Sequence, residues 1–430
     1  MDRCHDRKLA SRKSSDVTDR QTTNLRNLIV GGLWILIAAT YPLWFGTSDF
    51  PQVPFVGLLT AVPLWVDYVL MGLLAVFSIT LIWGRDSVPQ KRNCSLAAAT
   101  ILTLLTLLDQ HRFQPWVYLT IVQLVILSAS DSNARLPFRL IRVLLCSVYV
   151  YSAISKFDHS FFQHLGLRFV DTFLDQIGMN PHLMAPAKKM WFVWLIPIGE
   201  LLVGAGLVFR MTRRFAVGTA VALHATLILI LGPWGLGHHL GVLIWNVLFA
   251  AQVLIVFGWT PLVDEEDAAS DHSLTKWFAA LTACGCVALP IIEIADGPVD
   301  HWPAWSLYSD RTDKVELFID SKHSDKLPPN LLRHLGPPIP FQPWRKFYVE
   351  AWSLADTRSP IYPEDRFQLG VAKTVADRLE LANDDTGIKI VVHGSPDRKT
   401  GKRETKTLIG RQAIADAASN FILNANARMR

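Results

Sequence analysis

Charge is scarce in this chain. Asp, Glu, Lys and Arg make up 18% of its 430 residues, where a soluble globular domain carries about 25%. Cysteine is scarcer, at five residues. These are Cys4, Cys94, Cys146, Cys284 and Cys286, so the stretch beyond residue 286 folds without a disulfide of its own. No Cys-x-x-Cys occurs, which leaves dithiol redox chemistry without support. Cys284-Gly-Cys286 lies in an apolar run, and at that spacing on a helix the two side chains diverge, so small-residue helix packing is expected there rather than a bridge. The chain also lacks an internal repeat, a low-complexity tract and a small-residue cleavage site behind its first apolar run. The first 26 residues therefore read as an uncleaved basic tail. The net charge of +5 does not indicate a nucleic-acid partner, because loop charges that set membrane topology account for it.

Apolar residues are plentiful. The chain is 50% hydrophobic, with 15 Trp and 22 Phe, a composition suited to helices that meet lipid and its interface. A bilayer needs roughly 20 apolar residues per crossing. About nine runs reach or approach that length, at 27–45, 55–83, 95–110, 113–130, 138–156, 191–209, 215–231, 239–259 and 275–292. The third and fourth are short and parted only by Asp109-Gln110-His111-Arg112. They read either as a tight hairpin or as a pair of incomplete spans. The expected fold is an α-helical polytopic membrane bundle over 27–294, followed by a small α+β extracytoplasmic domain over 295–430.

Orientation follows from Lys and Arg in short loops. The tail holds Arg3, Arg7, Lys8, Arg12, Lys13, Arg20 and Arg26; later loops on the same side hold Arg85, Lys91, Arg92, Arg135, Arg139, Arg210, Arg213 and Arg214. The alternate loops are poor in both, and the connection at 260–275 is acidic, which counts little in this rule. The expected location is the inner (plasma) membrane, with the N-terminus cytoplasmic and the C-terminal domain outside. Within the long connection 157–190, apolar residues from Phe161 to Ile177 repeat at helical spacing, predicting an interfacial helix near 160–177, ended by Gly178 and Pro181. Beyond 295, the expected strands are Trp305 to Ile319, Arg345 to Leu354, and a hairpin of Ile388 to His393 with Lys402 to Ile409. Helices are expected at Asp365 to Ala382 and Gln412 to Met429.

Polar residues inside apolar runs are costly and tend to be functional. Lys156, Asp158 and His159 close the fifth run. Glu200 lies about 13 Å along the sixth at 1.5 Å per residue. His224 falls mid-way along the seventh, His238 and His239 open the eighth, and Asn246 lies two turns deeper in it. All fall in the outer half of four consecutive helices. Asp67 and Gln123 stand alone in other runs and read as packing groups. A desolvated lysine can act as a base or hold an anionic or quinol oxygen. Lys156, Glu200 and His224 are therefore the expected catalytic set, with Asp158, His159, His238, His239 and Asn246 as substrate-binding residues. No metal site is expected, since adjacent histidines on a helix point apart.

Three segments resemble the horizontally transferred transmembrane (HTTM) domain, the membrane domain of vitamin K-dependent gamma-glutamyl carboxylase and its bacterial relatives. They are Ala153-Ile-Ser-Lys156-Phe-Asp158, Ile198-Gly-Glu200-Leu-Leu-Val-Gly-Ala-Gly-Leu and Arg213-Arg214-Phe with His224 beyond. Trp305-Ser-Leu-Tyr-Ser309 leading into Lys314-Val-Glu-Leu-Phe-Ile resembles the start of that family's lumenal segment. The resemblance implies a membrane enzyme with a quinone or quinol cofactor, with Lys156 as the base. The carboxylase pairs two lysines here, whereas this chain has Ser155 before Lys156, and its outer region is small, so glutamate carboxylation is not implied. A looser likeness to DoxX-type proteins allows a non-enzymatic membrane subunit whose outer domain binds a protein partner. A small-solute transporter is the third reading. The partners expected throughout are the lipid bilayer and a lipid-soluble substrate.

Overall fold

The computed structural model describes residues 2–85, 87–130, 135–258, 273–381 and 386–428, with backbone alone for 2–19 and 135. The side chains of the first part of the basic tail, Arg135, and the acidic connection up to residue 272 lie outside the described residues.

The protein is a helical polytopic membrane protein followed by a small α+β region. The first helix, α1 (Asp2–Ala39), leads to a single turn, α2 (Tyr41–Trp44). Then come α3 (Trp65–Trp83), α4 (Val88–Leu107), α5 (Pro115–Leu127) and α6 (Arg135–Ile154). A π-helical turn over Phe161–Leu165 runs into α7 (Gly166–Gln176), followed by α8 (Pro186–Val208), α9 (Arg213–Leu231), α10 (Leu240–Val253) and α11 (Leu274–Ile294). Among the described residues, seven segments are long and apolar enough to cross a membrane: Arg20–Ala39, Trp65–Trp83, Leu136–Ile154, Pro186–Val208, Arg213–Leu231, Leu240–Gly258 and Leu274–Ile294. The sequence pattern suggested about nine. All nine runs contain a helix, but α5 has only 13 residues, and α4 begins on Lys91, Arg92 and Asn93, which lower its hydropathy. Both helices turn one face into the bundle, where Leu102, Leu105, Val117 and Leu124 are buried.

The amphipathic segment after α6 forms as its periodicity predicts. Phe169, Val170 and Leu174 of α7 turn inward against Val193 of α8 and Leu227 of α9. The loops at the two ends of the bundle differ. The loops at 40–64, 108–114, 155–160 and 232–239, with the chain after α11, gather at one end, where the α+β region sits. Thus Gln110 Nε2 donates to Asn424 O at 2.8 Å, and the backbone N–H of His159 donates to Arg398 O at 2.9 Å.

That region contains β1 (Lys314–Asp320), a single turn α12 (Pro329–Leu332), β2 (Trp344–Phe347), α13 (Val349–Thr357), α14 (Asp365–Arg378), β3 (Ile388–His393), β4 (Thr405–Ile409) and α15 (Arg411–Ser419). The four strands make one antiparallel sheet in the order β2-β1-β3-β4. Leu317 pairs with Phe347 on one side and Ile390 on the other, and Ile390 pairs with Leu408. Period-two alternation therefore puts these four on one face, where they bury against Phe367, Val371 and Val375 of α14. Phe50 and Val53, from the loop before α3, belong to the same core.

Three local expectations change. The helix expected from Gln412 to Met429 ends at Ser419, and the chain from Asn420 to Arg428 is not helical. The stretch expected as strand from Trp305 begins its strand only at Lys314, because Trp305 and Tyr308 adopt left-handed φ of 57° and 55° and drive the chain into the bundle instead. Of the stretch expected as strand from Arg345 to Leu354, only the part up to Phe347 is extended. Val349 onward is α13, whose Trp352 is fully buried. Asp67 and Gln123, which stand alone in sequence, have partners from distant segments. Asp67 is ion-paired with Arg112 and with Arg428, the latter at 2.7 Å, and Gln123 Nε2 donates to Gln252 Oε1 at 2.6 Å.

Candidate functional site

The site lies between α6, α8, α9 and α10, roughly two turns in from the end that carries the α+β region. Residues four and seven apart share a helix face, so Tyr149, Ser152 and Lys156 form one stripe on α6. Lys156 is 1% exposed, though it sits just past the last turn of an apolar helix where a free lysine would snorkel outward. Three acceptors hold it in. Its Nζ donates to Ser152 O at 2.9 Å, Ser152 Oγ at 2.7 Å and Glu200 Oε2 at 2.8 Å. The amine can give three hydrogen bonds, and these three acceptors take them all.

His224 of α9 is the second centre. Asn246 Nδ2 donates to Val242 O at 2.9 Å, which leaves Oδ1 as acceptor toward His224 Nδ1, also at 2.9 Å. The proton on the ring is therefore on Nδ1. Nε2 then accepts from the Tyr149 hydroxyl at 2.8 Å. Tyr149, His224 and Asn246 form a directed chain in which hydroxyl, imidazole and amide each have one role. Tyr308, whose backbone is left-handed, completes the group and lines the same small cavity as Asn246. Ser309 Oγ donates to Ser155 O at 3.2 Å and fastens this linker to the end of α6.

Three cavities adjoin these residues. A polar one of about 40 Å³ is walled by Tyr149, Ser152, Glu200, His224, Asn246 and Tyr308 among others, and has room for about three waters. An apolar cleft of about 260 Å³ lies between α7, α8 and α9, lined by residues such as Phe169, Phe192, Leu195 and Ile230. Leu195 is 60% exposed on the outer surface of the bundle, so this cleft faces the bilayer. Glu200 lines both spaces and is the only ionisable residue of the cleft. The third, about 180 Å³, lies between the bundle and α13 and shares Trp245, Leu307 and Tyr308 with the polar cavity.

Lys156, Glu200, His224 and Asn246 are thus brought together. Asp158 is buried beside the site and caps the following turn, accepting from Phe161 N at 2.8 Å. His159 is exposed and lies against Gly401 of the β3–β4 hairpin. His238 lines the third cavity, and His239 stands just before α10 without a side-chain cap to it. Tyr149, Ser152 and Tyr308 complete the site and are not among the residues expected from the sequence. The first two carry a legible signal, their helical spacing from Lys156. Tyr308 carries none, since nothing local predicts an inward turn. Among the described residues, no three His, Cys, Asp or Glu side chains converge as metal ligands.

Fold and site define a multi-pass helical membrane protein with a buried charged cluster opening on an apolar cleft. Residues 134–240, about a quarter of the chain, match the family model of the methylamine utilisation protein MauE. The match spans α6 to α9 and contains Tyr149, Ser152, Lys156, Glu200 and His224. No curated protein and no solved structure matches the chain. The MauE match overturns the resemblance to the HTTM domain of the carboxylase, since a different family fits the three membrane segments that carried it. The quoted segments were short, and a Lys-x-Asp at a helix end or a Gly-spaced apolar stretch suits many membrane helices. The carboxylase's lysine base does not carry over to Lys156.

Proposed function

We propose that the protein binds a lipid-soluble molecule bearing an ionisable oxygen, of the quinol class, and exchanges a proton with it. The body of the ligand occupies the apolar cleft between α7, α8 and α9, entering from the bilayer. Its oxygen meets Glu200, whose carboxylate takes the hydroxyl proton, with Tyr149, His224 and the polar cavity as the proton's onward route. Lys156 acts through Glu200 as a positioning residue. Ser152 and Glu200 take up its donors, and it partners the carboxylate in a dry setting where an unpaired charge would be costly. The observation that carries this reading is Glu200 lining both the lipid-facing cleft and the polar cavity. The family match supports it, because the part of the chain similar to the methylamine utilisation protein MauE is the part that carries these residues. A subunit that merely binds a partner has no need of a fully buried Lys–Glu pair beside two cavities.

In this reading the N-terminus is cytoplasmic, α4 and α5 complete nine crossings, and the α+β region stands on the outer face of the inner membrane. The distribution of Lys and Arg in the loops supports this orientation. Purification in detergent, followed by mass spectrometry of co-purifying lipids and quinones, tests the function. Wild-type protein retains a quinone or quinol near one per chain, and Glu200→Gln loses it. Equal retention by both, or none by the wild type, overturns the proposal.

A further inference from the structure

The third cavity has a different character from the lipid-facing cleft. It lies where the bundle meets the α+β region, and at about 180 Å³ it exceeds the ~150 Å³ that admits a benzene molecule in an engineered core. No Asp or Glu lines it. Its polar side chains are those of Thr40, Gln114, His238, Tyr308, Arg358 and Ser359, with the Trp245 indole, and of these the Arg358 guanidinium is the permanent cation.

Two of these groups are built in at a cost. Arg358 follows the last residue of α13 with φ 57° and ψ 24°, a left-handed conformation that glycine or asparagine ordinarily supplies at a helix end. The segment around it is nonetheless fixed. Ser359 O accepts from Ser353 Oγ at 2.9 Å, and Pro360 O pairs with His111 Nε2 at 2.9 Å. The guanidinium lies over the Tyr41 ring, 4.6 Å from its centroid, and among the described residues it has no carboxylate partner. Trp245 Nε1 is buried without a hydrogen-bond partner, though a buried orphan donor costs roughly 1–3 kcal/mol. Trp245 stands in the wall shared with the polar cavity. Trp116 and Trp302 add flat apolar surface, which suits a carbon skeleton better than a hydrated inorganic ion.

We infer that this cavity is a second binding site, reached from the aqueous side, for a small organic carboxylate. The carboxylate sits on Arg358, and the carbon body lies among the tryptophans. Its inner end reaches Tyr308, which also lines the polar cavity. The inference rests on the functional reading above only in making this ligand a water-soluble partner to the lipid-soluble one. The carboxylate site itself stands on the residues just named.

The test uses the full chain in nanodiscs, with benzoate as probe and benzamide as its neutral counterpart, followed by ligand-observed NMR titration. Wild-type protein is expected to bind benzoate at least tenfold more tightly than benzamide. Arg358→Gly removes the cation while placing at that backbone conformation the residue best suited to it, so the variant folds, and benzoate affinity falls at least tenfold. Arg358→Lys keeps part of the affinity, because a point charge remains without the planar fork. Glu200→Gln leaves benzoate affinity within twofold of wild type even as it loses quinol, so the two sites fail separately. Equal binding of benzoate and benzamide, undiminished benzoate binding by Arg358→Gly, or no benzoate binding by wild type would overturn the inference.

Discussion

Glu200 Oε2 lies 2.8 Å from Lys156 Nζ, across 44 residues of sequence, with both side chains buried. Breaking such a pair from one side leaves an uncompensated buried charge, which costs about 3–5 kcal/mol, whereas replacing both partners by apolar groups is often neutral. Lys156→Met is therefore expected to destabilise the protein by ~3–5 kcal/mol, and Lys156→Met with Glu200→Leu to recover most of that loss. Thermal unfolding in detergent across the four-member cycle reads the coupling. Additive effects would mean that the pair is not formed.

The Tyr149–His224–Asn246 chain fixes a tautomer. Nitrogen-15 NMR of His224 is expected to show the proton on Nδ1. Tyr149→Phe removes the donor to Nε2 at a cost of about 1–2 kcal/mol and leaves the tautomer intact. Asn246→Leu removes the acceptor that orients the ring and allows the proton to redistribute. An Nε2-protonated ring in the wild type would contradict the arrangement.

Arg428, near the end of the chain, reaches into the bundle. It bonds Val62 O at 2.8 Å and Pro63 O at 2.9 Å and pairs with Asp67. Arg428→Met is expected to loosen the last segment and leave Asp67 to Arg112 alone, at a cost of roughly 3 kcal/mol. Limited proteolysis after residue 419 should become faster in the variant, with the four-stranded core still protected. An unchanged cleavage rate would show the contact to be incidental.

The linker from α11 carries a pH-sensitive contact outside the membrane. His301 Nδ1 and its backbone N–H both donate to Glu364 Oε1, at 3.0 and 2.9 Å. Burial alone disfavours the imidazolium, but the Glu364 hydrogen bond and charge, with Glu293 and Asp313 beyond, outweigh it and raise the His301 pKa above its usual 6.5. The sign follows from linkage: the stabilisation is fully present below the unfolded-state value and is lost as pH rises through the raised folded-state value. The melting temperature of wild-type protein should fall across that window above pH 6.5 relative to His301→Asn. Parallel pH profiles for the two proteins would rule the contact out as the cause.

The parts of this molecule legible in sequence are those set by local pattern. Each apolar run yields a helix, the Phe161 to Ile177 periodicity yields α7, and the hairpin after Ile388 forms where alternation and turn residues predict it. Lys156, Glu200, His224 and Asn246 could be grouped because depth along a helix is countable from sequence. What failed depends on long-range partners. Asp67 looks solitary until Arg428 folds back from 361 residues away. Trp305 and Tyr308 look like strand residues, but the bundle buries them in left-handed conformations. The hydrogen bonds of Lys156 to Ser152 are likewise not legible from depth alone. The carboxylase likeness failed because short motifs at helix ends reflect membrane physics as much as ancestry.

The most direct test of the account is titration of decylubiquinol against the protein in nanodiscs, comparing wild type with Glu200→Gln and with Thr226→Trp, which fills the cleft. The account predicts saturable binding of one quinol per chain, at least tenfold weaker on Glu200→Gln and abolished on Thr226→Trp. Affinity unchanged in both variants, or no saturable binding by the wild type, would contradict it.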